Sequence, residues 1–366
     1  ASGTGPADLR LRLTVPLQQP AGTSVQGSVL LAGNDLQLLP DTPRFQRVRG
    51  AVHFSDTGFS LANMQARLLG GEVRLDGGTT GSSPAAAVPA SPGASAAAVP
   101  GRTAVAAVAA VLPAMQFRAQ GTATVDALAQ ARELGDAVRV ARFAAGSAPY
   151  TATLRVQDGV PEFSLQSSLQ GLALNLPAPL GKPAETALPL LLERTLVRDA
   201  ATGRTPQGRP QDRLLLELGR VASASYVRDI GTAVPQVLRG SLVLGEAPAD
   251  PAAPAPASPA SGVVAHVRLP TIDVDAWSGV LSQAAAAGPP EPDPAAPARN
   301  PEAPLLGAYL PTRVDLRTGS LSAGSRRLHN LSAAVRRDGP GWSGDLQADE
   351  LAGQVQYRPS SEGGLG

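Results

Sequence analysis

Few residues of this chain have the chemistry for catalysis, and their spacing argues against it. The three histidines, His53, His266 and His329, lie far apart in strand-like contexts. No HxH or HExxH spacing directs two of them at one metal, so each reads as an exposed strand residue. The chain has no cysteine, which removes thiolate nucleophiles, disulfides and Cys-zinc sites. The carboxylate pairs Asp273/Asp275 and Asp349/Glu350 are of the right type for general acid–base work. Asp273 and Asp275, however, stand where a helix begins and serve more naturally as its caps. Trp277 and Trp342 have the shape to stack on sugars, but with aromatics at 3% they are needed for packing. No GxSxG elbow, P-loop or GxGxxG occurs. The expectation is a protein that is not an enzyme, with no metal and no cofactor.

What remains is apolar. The stretch Ser164–Pro183, SLQSSLQGLALNLPAPLGKP, begins as an alternating strand, turns at Gly171 and continues as a Leu/Pro-rich edge. It ends at Lys182, the one lysine beside 30 arginines. Leu174, Leu176 and Leu180 are expected to form an apolar rim. Lys182 is either available to an anionic head group or simply solvated.

Alternation at period two dominates the rest. Leu9, Leu11, Leu13 and Val15 alternate with Arg10, Arg12 and Thr14. The same pattern recurs at Val48–Phe54, Val73–Leu75, Leu154–Val156, Leu214–Leu218, Val263–Leu269 and Val314–Leu316. Each is a strand with one apolar and one polar face. Asp56-Thr57-Gly58, Asp158-Gly159 and Asp338-Gly339 are turn signals at short intervals. They predict antiparallel hairpins in a long meander, with no βαβ rhythm. Two helices interrupt it. Thr124–Leu134 has Thr124 as its N-cap; Asp273–Ala287 carries Trp277, Val280, Leu281 and Ala284 at i, i+3, i+4, i+7, with Asp275 as a cap. Residues 77–101, 247–262 and 284–304 are Ala/Pro/Ser-rich inserts too poor in apolar bulk to order themselves. Residues 198–212 read as another loop.

Composition sets the bounds. At 366 residues the chain has room for two ordinary domains or one elongated section; the reading adopted is one elongated section, residues 1–366. Gly and Pro, 39 and 35, make up about a fifth of the chain against roughly 12% in average usage. Net charge is +1 with both signs interspersed, which excludes the concentrated basic face of a nucleic-acid binder. No signal peptide is visible, and the most apolar run, Ala104–Met115, is too short to span a bilayer. The abrupt start and end read as a section of a longer protein.

One-sided strands need cover. A second layer would give a closed protein core; a sheet curled on itself would leave a trough lined by Leu, Val and Ala, with room for acyl chains. The energetic stake is large. At roughly 0.8 kcal/mol per methylene, two chains of about 16 carbons cost on the order of 25 kcal/mol to expose to water. Periodicity alone leaves both covers open.

Four segments carry a family resemblance. Phe45–Gly71, FQRVRGAVHFSDTGFSLANMQARLLGG, resembles a "G-x-hydrophobic-x-F…G…A-x-hydrophobic-L-G-G" unit. Gly146–Pro183 is similar to an "S-x-L-x-G-L…L-P-x-P-hydrophobic-x-K" segment. Leu269–Leu281, LPTIDVDAWSGVL, resembles a "D-hydrophobic-D-x-W" helix entry, and Gly319–Tyr357 is a strand pair leading to Trp342 and Gly353. Together they resemble the C-terminal part of the YhdP/AsmA-like family of Gram-negative envelope proteins. The long Ala/Pro inserts depart from that pattern.

The resemblance implies a mainly β fold: a long antiparallel meander curled into an elongated, open groove, with two short helices. It implies a periplasmic lipid-conducting groove, part of a bridge that moves phospholipids between inner and outer membrane and maintains the outer-membrane barrier. The partners implied are phospholipids, both membranes and envelope proteins, with no nucleic acid. The implied anchor in the inner membrane would be a segment absent from this chain. On this reading Leu11, Leu13, Val15, Val52, Phe54, Val73, Leu75, Leu154, Val156, Leu214, Leu216, Val314 and Leu316 line the groove, and Arg10, Arg12, Arg74 and Arg155 face water. The alternative is a non-catalytic envelope scaffold or assembly factor for outer-membrane proteins, its groove filled by protein and its strand edges doing the pairing.

Overall fold

Alternating strands joined by tight turns leave the chain little choice but to pair in sequence order, and the computed structural model of the protein does so. It describes residues 2–17, 23–37, 42–80, 114–131, 141–157, 160–198, 209–232, 234–245, 259–286, 305–339 and 341–358. The expected inserts lie mostly outside these residues, as do the Asp158-Gly159 turn and the last residues of the first expected helix.

The strands are β1 (Ser2–Thr4), β2 (Ala7–Thr14), β3 (Ser24–Gln37), β4 (Phe45–Ser55), β5 (Gly58–Leu68), β6 (Gly70–Thr79) and β7 (Met115–Thr124). They continue as β8 (Ala144–Gln157), β9 (Val160–Ser167), β10 (Leu172–Leu174), β11 (Leu190–Leu196), β12 (Gln211–Leu218), β13 (Ala222–Asp229) and β14 (Gln236–Gly245). The last are β15 (Gly262–Asp273), β16 (Arg313–Ala323), β17 (Arg326–Asp338), β18 (Gly341–Gln347) and β19 (Ala352–Tyr357). Helix α1 (Val125–Gln130) follows β7 and helix α2 (Val274–Ala286) follows β15. All nineteen strands join one sheet. Each pairs with its sequence neighbour, except that β1 extends the rank of β2 beside β3, and β10 extends the rank of β9 beside β8. The resulting seventeen ranks run about 75 Å at ~4.8 Å per step. The sheet does not close into a barrel.

The sheet is antiparallel except at β15, which lies parallel to both β14 and β16. The meander expected from the turn signals is therefore broken there, and β15–α2–β16 forms the one βαβ unit among the described residues. The physical reason is connection length. A parallel pair needs a crossover of a dozen or more residues, and the residues that return from β14 to β15 and from α2 to β16 are the two Ala/Pro-rich inserts.

Both helices start where the caps predict. Thr124 Oγ1 accepts from Ala127 N at 3.3 Å. At α2 the cap is Asp273, whose Oδ1 accepts from Ala276 N at 2.9 Å. Asp275, the other expected cap, instead accepts from Gly324 N across the β16–β17 turn. Trp277 and Val280 are half-buried while Leu281 is exposed, so α2 covers less than its periodicity promised. No helix among the described residues is long and apolar enough to cross a membrane.

Curvature follows from the irregularities. Register shifts interrupt the β3–β4, β4–β5, β5–β6 and β6–β7 ladders, and bulges of this kind bend a strand and increase its twist. Val48 and Val73 are 2% and 1% exposed although no second sheet among the described residues covers them. In a single layer that burial requires a concave face, so that Leu31, Phe45, Val52, Leu61 and Leu75 lean over them. Gly121 sits opposite Val73 and Tyr150, and a Cβ there would stand 3.1 Å from the Val73 Cβ. Its missing side chain lets Tyr150 join the same cluster.

The far end of the sheet is tied together. Arg142 Nη1 donates to Gln283 O at 2.9 Å, joining the start of β8 to α2. Six ladder steps separate β8 from β15, about 29 Å on a flat sheet. The helix rise brings Gln283 back by about 14 Å; the Arg142 side chain and the curl of the sheet close the rest.

Candidate functional site

Ladder register decides which side chains share a face, because a slip of one residue inverts a strand. Across the β4–β9 ladders, Leu61 lies opposite Val52, Met64 opposite Leu75, Leu75 opposite Ala119, Phe117 opposite Leu154 and Leu154 opposite Phe163. On the other side of β9, Leu165 lies opposite Leu192, Leu192 opposite Leu216, and Leu216 opposite Ala224. The parallel strands keep the phase: Leu242 meets Ala265, Ala265 meets Val314, and Val314 meets Val335. At the first edge Leu9 and Leu11 lie opposite Val29 and Gly27. One face of the sheet is thus apolar from the first rank to the last.

All the expected lining residues that lie in strands fall on this face, and Val15 lies just past the end of β2. Their exposure differs. Leu11, Leu13, Val15 and Leu216 are exposed; Val52, Phe54, Leu75, Leu154, Val156, Leu214, Val314 and Leu316 are half-buried. Val73 is closed over by its neighbours and is core, not accessible wall, because the register-shifted ranks pack Met64, Ala66 and Tyr150 around it. Arg10, Arg12, Arg74 and Arg155 all lie on the opposite face and are exposed.

The expected rim is corrected in two places. Leu174 packs with Val125, Ala141, Ala148 and Leu172 under α1, closing the end of the sheet. Lys182 is neither solvated nor free for a head group: it is 8% exposed. Leu174 and Lys182 exchange backbone hydrogen bonds of 2.9 and 3.0 Å. That bridge points the lysine inward, where Nζ donates to the carbonyls of Leu169 (2.8 Å), Thr186 (2.9 Å), Pro183 (3.2 Å) and Leu172. Burial pushes the ammonium down from its ordinary value, and nearby Glu185 pulls it back up. Four acceptors and no donor favour the charged form, whose three N–H groups they share. The lysine is a staple of the β9–β11 connection. Leu176 and Leu180 are half-buried in the same connection.

Residues 198–212 were expected to be a loop, yet β12 begins at Gln211 and Asp212 is fully buried. It lies on the apolar face, in phase with Leu214 and Leu216. Arg228 grips it with Nε to Oδ1 at 2.9 Å and Nη2 to Oδ2 at 2.6 Å; Arg194 Nε reaches Oδ2 at 2.6 Å. Burial alone would raise the Asp212 pKa, but the hydrogen bonds from Arg228 and Arg194 hold it below the usual carboxylate value. Arg228 Nη1 also donates to Tyr309 Oη at 2.9 Å, and Tyr226 Oη donates to Tyr309 O at 3.1 Å. The Tyr226 and Tyr309 rings meet edge to face, 5.0 Å apart, and burial pushes the Tyr226 hydroxyl up to about 12. Tyr309 ends the 3₁₀ turn Leu305–Tyr309, which therefore lies on the apolar face beside β14. The available signal was phase: Arg194 occupies an apolar position in the series Leu190, Leu192, Arg194, Leu196.

The residues whose types suit catalysis are not brought together. His53, His266 and His329 lie on β4, β15 and β17. His266 Nδ1 stands 3.6 Å from Asp315, and His329 Nδ1 pairs with Glu350 at 2.5 Å. Glu350 also accepts from His329 N, and Asp349 from Asn330, so this acidic pair pins the β18–β19 turn to β17. Trp277 and Trp342 are half-buried. Among the described residues no cluster of three or more His, Cys, Asp or Glu could hold a metal.

Comparison with curated proteins and with solved structures returns no match. The YhdP protein family model matches residues 2–365. With the match running across the inserts and every strand of the sheet, this chain belongs to the YhdP family.

Proposed function

We propose that this chain is a section of a periplasmic lipid-conducting groove, part of a bridge that moves phospholipids between inner and outer membrane and maintains the outer-membrane barrier. The observation that carries the reading is the apolar face that runs along all seventeen ranks, with no second sheet over it among the described residues. Leu216 is 40% exposed near the middle of the sheet, and Leu9, Leu11 and Leu13 are 57–62% exposed at its first edge. Contiguous apolar surface on this scale marks a binding surface. A strip one strand spacing per step suits acyl chains, which need a smooth wall and no directional bonds. Family membership is consistent with envelope lipid transport.

The role is non-catalytic: Asp273, Asp275, Asp349, Glu350, His266 and His329 are engaged in caps, turns and ion pairs, and His53 stands apart from them on β4. The protein would be held at the inner membrane, with envelope proteins as further partners. The test is lipid capture. Photo-crosslinking residues at Leu154, Leu216 and Leu316, followed by mass spectrometry of the purified protein, should trap phospholipid; crosslinks at Arg74 and Arg155 should not. Crosslinks running to proteins alone, with no lipid co-purifying, would instead mean a scaffold with a protein-filled groove.

A further inference from the structure

From β2 through β14 the registers put three charged side chains on the apolar face, Arg194, Asp212 and Arg228, and they stand together. Two guanidinium groups and one carboxylate leave a net charge of +1 in an otherwise apolar strip. Arg228 is satisfied: it holds Asp212 in a two-pronged grip and gives Nη1 to Tyr309. Arg194 is not. Its Nε is used on Asp212, and its two terminal nitrogens have no partner among the described residues. Its side chain is 32% exposed, whereas that of Asp212 is 1% exposed. The Nε bond fixes the orientation of the guanidinium and leaves the terminal fork free, the geometry that matches phosphate oxygens. Beside it lie Leu214, its cross-strand partner, and the open Leu216.

A positive fork at the margin of an open apolar strip is complementary to an amphiphile with an anionic head. We propose that Arg194, held in place by Asp212 and Arg228, contacts the head-group phosphate of an anionic lipid whose acyl chains lie along Leu192, Leu214 and Leu216. The inference rests on the groove reading but adds a point of selection to it: the wall reads the head as well as accommodating the tails. Tyr309 closes the Arg228 side of the cluster, so the phosphate approaches from the Arg194 side.

The experiment uses native mass spectrometry on the purified chain with short-chain phosphatidylglycerol, the diacylglycerol with the same acyl chains, and inorganic phosphate. Wild type should prefer phosphatidylglycerol by about tenfold, equivalent to about 1.4 kcal/mol. Arg194→Gln should bind both lipids equally and as strongly as wild type binds diacylglycerol, with Asp212 still held by Arg228. Arg194→Lys should keep most of the preference. If Arg194→Gln retains the preference, or wild type shows none while binding both lipids, the head-group site is wrong and the groove stands. If inorganic phosphate displaces the phosphatidylglycerol preference at equal concentration, the site recognises free phosphate and the lipid assignment fails. If wild type binds neither lipid, the groove reading falls and the site with it.

Discussion

Replacing Leu216 with Asp separates an open apolar face from a closed core. Leu216 is 40% exposed, with Leu192 and Ala224 on either side. Complete burial of a leucine side chain is worth about 2.5 kcal/mol, so roughly 1.5 kcal/mol is already realised in the fold and about 1 kcal/mol remains for a ligand to gain. The aspartate removes that remainder and adds the cost of desolvating a carboxylate beneath an acyl chain, at least about 2 kcal/mol. Lipid affinity should therefore fall by about a hundredfold or more. Folding should lose only about 1.5 kcal/mol, well inside the stability of an ordinary domain. Val73→Asp is the comparison: at 1% exposure the same change buries a carboxylate in protein and should exceed 4 kcal/mol. The assay pairs lipid co-purification, read by mass spectrometry, with urea unfolding. The reasoning is refuted if Leu216→Asp carries as much lipid as wild type, or if it unfolds as readily as Val73→Asp.

Lys182→Met should cost about 3 kcal/mol or more, since it strands several buried carbonyls at about 1–3 kcal/mol each; a urea midpoint that hardly moves would mean water replaces the ammonium. Asp212 has a folded pKa below its ordinary 3.8, so its stabilisation is complete above that value and is lost as pH falls through the lower, folded value. Acid unfolding of Asp212→Asn should lack this limb below pH ~4, although the variant is less stable at neutral pH; parallel acid titrations of the two proteins would expose a wrong assignment. Tyr150 Oη is buried with no hydrogen-bond partner among the described residues, and burial raises its pKa. Tyr150→Phe should be neutral or stabilising by up to about 1 kcal/mol, and a marked drop in melting temperature would reveal a partner for the hydroxyl.

The apolar face was legible because period-two alternation survives every ladder: Leu75, Leu154, Leu216 and Leu316 share a face through the registers, and the sequence pattern requires no more than in-phase pairing. The parallel placement of β15 was hidden because its two crossovers are low-complexity segments with no pattern that states a direction. The β3–β7 bulges were only partly announced: Gly33 and Gly50 take positive φ inside the β3–β4 and β4–β5 shifts, whereas Arg47 and Asn63 adopt it at other shifts without being glycine. Lys182 misled because a lone lysine after a Leu/Pro run looks like a surface group; its four carbonyl partners come from a tertiary loop closure. Asp212 was assigned to a loop because the polar residues before it mask the start of β12, and only its phase with Leu214 marks it as inward-facing.

With no second layer among the described residues, the ladder itself sets how the molecule comes apart. Each rank touches chiefly the rank on either side, so stability is close to a sum of nearest-neighbour terms, as in a solenoid. The outermost strands β2 and β19 are exposed along their whole length and have one neighbour to lose. Opening therefore propagates inward from both margins like a zipper, while the tightly curled ranks around Val48 and Val73 hold longest. The same property makes the sheet additive in length: hairpins can be gained or lost without rebuilding a shared centre.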